Sequence, residues 1–182
     1  AEGEIHGQNG GYPIAIALSN DAVKLAVSMI NINEGSVKST IAFYNYGTVG
    51  QNEIDHCVGV NNYDDMVIPE MEFTSNDRMV AFGDTKAVIF EGAQKPQAIA
   101  EIPMDEKTKS IFYNEHYIGI VTGNEDEAVT NHLAVYDENG KLVMEKDFGL
   151  DYSSIEFLTN NEICIRNANV CDIYTVHGVY KF

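Results

Sequence analysis

The stretch P-I-A-I-A-L-S-N-D-A-V-K-L-A-V-S-M-I, Pro13–Ile30, with T-I-A-F-Y at Thr40–Tyr44 behind it, decides the fold. It reads as strand, turn, strand, loop, strand. Pro13–Ser19 predicts the first strand, with Ile14, Ile16 and Leu18 on one face and Ala15 and Ala17 on the other. Both faces are apolar, the pattern of a strand buried on both sides. Asn20-Asp21 supplies a turn, because these side chains bond their own backbone. Lys24–Ile30 is a second strand rich in Val, Ile and Leu, and Asn31–Lys38 is a polar loop carrying Gly35. Ser39–Tyr44 is a third strand, Ile41 and Phe43 alternating with small or polar residues. Gly47 to Glu53 reads as a loop and Ile54–Val60 as a candidate fourth strand.

The pattern then restarts. Its first turn recurs as Leu18-Ser-Asn-Asp21, Phe73-Thr-Ser-Asn-Asp77, Phe112-Tyr-Asn-Glu115 and Phe157-Leu-Thr-Asn-Asn161. The turns centre on Asn20, Asn76, Asn114 and Asn160, which by their numbering lie 56, 38 and 46 residues apart. That spacing averages near the ~40–45 residues of a β-propeller blade. A second strand follows each turn: Leu25–Ile30, Met79–Phe82, Tyr117–Val121 and Ile163–Arg166. A third ends in an aromatic: Tyr44, Phe90, Tyr136 and Tyr174. Three of these reach a glycine turn, Glu91-Gly92, Glu138-Asn139-Gly140 and His177-Gly178, and Asn-Gly is a strong hairpin signal. Fourth strands are expected at Ala98–Ile102, Lys141–Phe148 and Val179–Phe182. No 3.6-residue period continues past Ile30, so little or no helix is expected. The fold class is therefore all-β, a propeller of about four antiparallel four-stranded blades at approximately 13–67, 68–105, 106–150 and 151–182. Residues 1–12 read as a polar segment, either a strand of a preceding blade with Gly10-Gly11 as the crossing loop or a flexible terminus. The sequence stops inside the fourth blade's outer strand, so a segment of a larger seven- or eight-bladed ring is expected.

Composition narrows the function classes. The chain has 182 residues, 45% apolar and 21% charged, which is globular rather than disordered. Asp and Glu number 28 against 11 Lys and Arg, for a net charge of −17. Such a surface repels phosphate backbones, so no nucleic-acid partner is expected. No run of ~18 apolar residues exists, so this segment is not expected to insert into a membrane. Three cysteines, Cys57, Cys164 and Cys171, make no disulfide framework and no C-x-x-C pair.

The first repeat, A-L-S-N-D-x-x-K-L-A-V-S with a glycine-bearing loop before I-A-F-Y, resembles the S-x-D-x-x-K-L-A-V blade of many bacterial propellers. More narrowly, it is similar to a domain-of-unknown-function family of Gram-positive bacteria. Members of that family resemble one another in a short cytoplasmic end, one N-terminal membrane helix and an extracytoplasmic propeller. The resemblance implies an extracytoplasmic location, an upstream membrane anchor and more than four blades; it implies no activity. The WD40 signature is missing, as are the Trp-bearing motifs of quinone-dependent dehydrogenases, because the chain has no Trp.

No residue is assigned a catalytic, cofactor-binding or metal-binding role, and no cofactor is expected. His6, His56, His116, His132 and His177 are scattered without H-x-x-x-H or H-E-x-x-H spacing. A metal site could still assemble from different blades in a central channel. Asp64-Asp65 and Glu125-Asp126-Glu127 fall in expected loops and lack the D-x-D-x-D-G spacing that converges oxygens on calcium. Ser19, Ser75 and Ser153 sit near turns without a G-x-S-x-G elbow and read as turn-capping hydroxyls. A hairpin centred on Asn167-Ala168 would set Cys164 opposite Cys171, near disulfide range; free buried thiols are the other reading. Cys57 reads as a small core residue. Tyr12, Tyr44, Tyr46, Tyr63, Tyr113 and Tyr117 either line a recognition surface or, as expected for Tyr44 and Tyr136, pack between blades. The expectation is a non-enzymatic extracytoplasmic binding or scaffolding module for a protein or cell-envelope ligand, with homodimerisation through end blades. The alternative is a hydrolase or lactonase-like propeller enzyme with a divalent metal in its channel.

Overall fold

The computed structural model describes residues 11–33, 35–45, 57–124, 130–149 and 151–182. Among them there is no helix, and the strands form four antiparallel sheets. The first sheet runs in the order β1 (Tyr12–Leu18), β2 (Lys24–Asn33), β3 (Ser36–Asn45), β4 (Cys57–Asp64). The second is β5 (Glu70–Ser75), β6 (Arg78–Phe82), β7 (Lys86–Glu91), β8 (Gln97–Pro103). The third is β9 (Thr108–Tyr113), β10 (Tyr117–Asn124), β11 (Thr130–Asp137), β12 (Leu142–Phe148). The fourth has three strands, β13 (Ser154–Thr159), β14 (Glu162–Arg166) and β15 (Cys171–Thr175). Sequential up-and-down strands in separate short sheets are the blades of a β-propeller. The chain divides into two compact units, residues 1–104 with the first two sheets and residues 105–182 with the last two.

In the first unit a single apolar face of each sheet meets the other. Ala17, Ala26, Ile41 and Phe43 pack on Met71, Phe73, Met79, Ala81, Val88 and Phe90, with Phe43 and Phe90 edge to face at 5.2 Å. Small residues on that first face are not gaps. The buried Ser28 and Ser39 donate to the carbonyls of Ile68 (2.8 Å) and Met66 (2.5 Å), holding the β4–β5 connection against the sheet. Met66 in turn lies against Gly83, where a Cβ would fall 2.7 Å from its sulfur.

The second unit repeats the scheme. Phe112, Val121, Leu133, Val135, Met144 and Phe148 pack on Ile163, Ile165 and Val176, with Phe112 and Phe157 rings 4.6 Å apart. Gly119 sits directly opposite Phe112, whose ring covers it. A Cβ there would fall 2.2 Å from the ring. The glycine turns form as their spacing requires: Gly92, Gly140 and Gly178 all have positive φ.

Several expectations are corrected. The Asn31–Lys38 loop is mostly strand: β2 runs to Asn33 and β3 starts at Ser36, so the connection shrinks to a hairpin around Gly35 (φ 83°). Asp64 ends β4 instead of lying in a loop, and Asp65 turns the chain with φ 52°. Val179–Phe182 forms no regular strand beyond a Tyr174–Tyr180 bridge, although Lys181 N–H reaches the Ile173 carbonyl at 2.8 Å. The first strand is not buried on both sides. Ala17 is 6% exposed, whereas Ile16 and Leu18 are 60% and 54% exposed, because β1 is the sheet's edge strand and its second face is left uncovered there, while Val27 and Ala42 in the middle of that face are buried. The expectations for Glu4-Ile5-His6, Gly10, Tyr46, Gly47 to Glu53, His56 and Glu125-Asp126-Glu127 lie outside the described residues, as does 54–56 of the fourth strand.

Candidate functional site

The motif Ser19-Asn20-Asp21-Ala22-Val23-Lys24 shows what its residue types do. Ser19 Oγ donates to the Asp21 carboxylate (2.6 Å) and accepts from Lys24 N–H (2.9 Å), while Asp21 Oδ1 accepts from Val23 N–H (3.1 Å). The Ser19 hydroxyl, and after it the Val23 N–H, hold the exposed Asp21 carboxyl below its ordinary range. This closes a tight turn in which Ala22 adopts φ 58°. Ser19 is thus the turn-capping hydroxyl its position suggested. Lys24 leaves the turn and is buried, its Nζ donating to the Asn76 carbonyl (2.6 Å) and to Asp77 Oδ1 (2.8 Å). Asp21 N–H donates to Asn76 Oδ1 (3.1 Å). The first blade's turn is therefore latched onto the second blade's equivalent turn. The first copy of the motif thus fastens the first two blades to each other, a role that spacing alone did not reveal.

The β1 edge of the first sheet, where the covered centre of this face gives way to exposed apolar side chains, is the strongest candidate for contact with another molecule. Register places Leu18, Leu25, Tyr44 and Cys57 in one row across the sheet, and Ile16, Val27, Ala42 and Val60 in the next. Val27 and Ala42 are fully covered, while Ile16 and Val60 at the two edges are 60% and 41% exposed. Ile14, Ile16 and Leu18 leave an exposed apolar strip along β1 on this face, while the bulge between Pro13 and Ala15 turns Tyr12, opposite Ile30, to the other face. At the other end the rows turn polar: Met29, Thr40 and Asn62, then Asn31, Lys38 and Asp64. These six and Gly11 line a cleft of about 350 Å³. Thr40 Oγ1 donates to Asn62 Oδ1 at 2.9 Å, and Lys38 Nζ lies 3.5 Å from Asp64. One sheet face thus joins an apolar strip to a small polar hollow.

The second unit has a cleft of similar size lined by Lys107, Thr122, Gly123, Thr130, His132 and Asp147. His132 Nδ1 lies 2.7 Å from Asp147 and its Nε2 3.5 Å from Glu145. The two carboxylates approach opposite ring nitrogens, which point in opposite directions, so they do not converge on one ion. His116 pairs with Glu138 at 3.0 Å on another hairpin, and His177 lies in the turn before Gly178. The structure does not bring these histidines together, and no group of three metal-ligating side chains occurs among the described residues.

Other side chains divide between packing and exposure. Tyr44 is buried in a cluster with Val27, Met29 and Ala42 of its own sheet, and Tyr117 packs on Phe157 at 6.1 Å. Burial, and secondarily Glu101, pushes the Tyr63 phenol up to about 12. Burial, then Glu145, also raises the half-buried Tyr136. Cys57 lies against the Val27–Tyr44 cluster. The β14–β15 register sets Arg166 opposite Cys171 and Cys164 opposite Ile173, two residues from the expected pairing. The Cys164 and Cys171 sulfurs are nonetheless 3.2 Å apart, as unbonded thiols on the diagonal.

Comparison with known proteins places this geometry. The model of a family of unknown function, DUF5711, matches residues 1–182. No curated protein matches. Among solved structures, the chain is similar to HIRA(644-1017), with TM-score 0.55 and 11% identity over 99% of this chain and 57% of that one. It is similar to the β-propeller domain of the Trilobed protease from Pyrococcus furiosus, described as having an open velcro topology (TM-score 0.53, 11% identity, 94% and 57% covered). It is also similar to Pyrococcus horikoshii acylaminoacyl peptidase (TM-score 0.54, 12% identity, 94% and 32% covered). At these identities the likeness shows the propeller fold alone. The chain spans between a third and three fifths of the length of these relatives.

Proposed function

This chain belongs to the DUF5711 family, a family of unknown function, and on that premise we propose that it is a non-enzymatic binding or scaffolding module. Its place, in this reading, is a longer propeller held on the outer face of a bacterial cell membrane. The location rests on the resemblance of the Ser19–Lys24 blade motif, and the binding role rests on the exposed β1 edge of the first sheet. The observation that carries the role is the strip of Ile14, Ile16 and Leu18 along the β1 edge, which are 39%, 60% and 54% exposed. Contiguous exposed apolar side chains on a sheet mark contact surfaces. The net charge of −17 adds a steering term for a protein whose contact patch has a basic rim.

The test is a photo-crosslinking side chain placed at Ile16 in the full-length protein in its own cells, with Glu72 as the control position. The expected result is one discrete adduct with another protein from Ile16, none from Glu72, and loss of the adduct in Leu18→Asp. Adducts only within the same chain would make the strip a blade contact. Adducts only with a second copy would make it a dimer face. Either overturns the role proposed here.

The hydrolase alternative draws on one observation, the His132–Asp147 pair lining the cleft of the second unit. It requires divalent-metal-dependent ester or lactone hydrolysis that disappears in His132→Ala.

A further inference from the structure

Independently of that reading, we propose that Cys164 and Cys171 are a redox modification site, a dithiol that closes to an intrachain disulfide by exchange with a disulfide oxidant. Their sulfurs lie 3.2 Å apart on one face of the β14–β15 hairpin. A bond needs ~2.05 Å, so the sulfurs must approach by ~1 Å, which side-chain rotation at the exposed Cys171 can supply. The hairpin between them is held by several bonds. Asn167 Oδ1 accepts from Asn169 and Val170 N–H (both 2.9 Å), Asn167 N–H reaches the Val170 carbonyl (2.9 Å), and Asn167 Nδ2 reaches the Asp151 carbonyl (3.1 Å). These bonds fix the four-residue turn and hence the register that puts the two cysteines on a diagonal. Diagonal neighbours ordinarily lie about 7–8 Å apart, near the upper limit for a disulfide, and the 3.2 Å between these sulfurs is what brings this pair into reach.

The two thiols differ in a way that orders the steps. Cys171 is exposed and Cys164 is buried. Burial, and after it the neighbouring Cys171, keeps the Cys164 thiol protonated at higher pH than usual. Arg166 lies between them, paired with Glu156, and its guanidinium acts in the opposite direction on Cys164. Cys171 is therefore the group that meets solvent. As a thiolate it attacks the oxidant's disulfide; a new S–S bond forms, the oxidant's S–S bond breaks, and one thiolate leaves. Cys164 then loses its proton and its sulfur displaces the second half of the oxidant from Cys171. The net change is two protein thiols oxidised to one disulfide, one oxidant disulfide reduced to two thiols, and no other reactant. Glutathione disulfide is an oxidant of the required class.

Trypsin offers a direct readout, because Arg166 lies between the cysteines and Lys146 and Lys181 bound the flanking fragments. Residues 147–166 and 167–181 separate after digestion unless a disulfide joins them. The full chain, incubated with ten parts glutathione disulfide to one of glutathione and trapped with N-ethylmaleimide, is expected to yield the joined pair, lighter by two hydrogens than the sum. Cys164→Ser should instead accumulate glutathione on Cys171, and Cys57→Ser should behave as the parent. A stable glutathione adduct on Cys171 in the parent chain, or two maleimides on the unjoined fragments after oxidation, would overturn the proposal. Far-UV circular dichroism of each variant separates loss of the hairpin from loss of the reaction.

Discussion

Removing the Lys24–Asp77 contact should loosen the first blade from the second by an amount the geometry sets. The ammonium is 5% exposed and lies 2.8 Å from a carboxylate that is 58% exposed. At that separation Coulomb's law gives about 6 kcal/mol in an effective dielectric of ~20 and about 1.5 kcal/mol in water. Because Asp77 faces solvent, screening takes the value to the lower end, so a coupling of about 1.5 kcal/mol is expected. Lys24→Met keeps the stem's packing but also loses the charged hydrogen bond to the Asn76 carbonyl, about another 1.5 kcal/mol. The single variant should therefore cost about 3 kcal/mol. Asp77→Ala alone leaves the ammonium with that carbonyl and should cost about 1.5 kcal/mol. Urea unfolding of the parent, both single variants and the double variant closes the cycle, and the non-additive part is the coupling. Hydrogen exchange at β2 and β6 amides reports whether the loss is local to the blade junction. A coupling below ~0.3 kcal/mol, with unchanged exchange at both strands, would refute the latch.

Two further outcomes follow from the packing. Gly119→Ala places a Cβ where the Phe112 ring now sits, 2.2 Å away, and that ring is held against Phe157; a loss of about 1–3 kcal/mol in urea unfolding is expected. An alanine that costs nothing there would mean the ring moves freely. Tyr63 concerns alkaline pH: its phenol is held near 12 when folded against an ordinary 10, so the unfolded chain releases its proton first. Stability should fall as pH rises from 10 towards 12, and Tyr63→Phe should flatten that fall. Phenolate absorbance from Tyr63 appearing in the native protein below its ordinary value would contradict the burial.

The propeller was legible because its signal is carried by backbone demands that repeat. Asn at the centre of each turn, alternating apolar strands, and glycines at Gly92, Gly140 and Gly178, where φ is positive, all survive without knowledge of neighbours. What was not legible depends on partners distant in sequence. The period-two pattern of Pro13–Ser19 cannot say whether a second layer covers Ile16, so an open edge reads like a buried strand. The cysteine pairing was misplaced because Asn167's side chain draws the hairpin centre one residue later, which shifts the pairing by two. Lys24 reads from sequence only as the first residue of the second strand, and only the turn at Asn76-Asp77, more than fifty residues on, makes it a buried fastener. The same limit applies to the candidate face, whose rows become visible only when register sets the strip beside the Thr40–Asn62 hollow.

Ser28 and Ser39 bind the Met66–Ile68 connection from strands that precede it in the chain. Synthesis runs in one direction, so β2 and β3 leave the ribosome before the segment they will hold. The first sheet can thus offer finished hydroxyl donors to a connector that has just emerged, and the connector fixes where β5 starts. Translation order and docking order coincide at this junction. An insertion between Asp65 and Pro69 would uncouple them even if every strand kept its sequence.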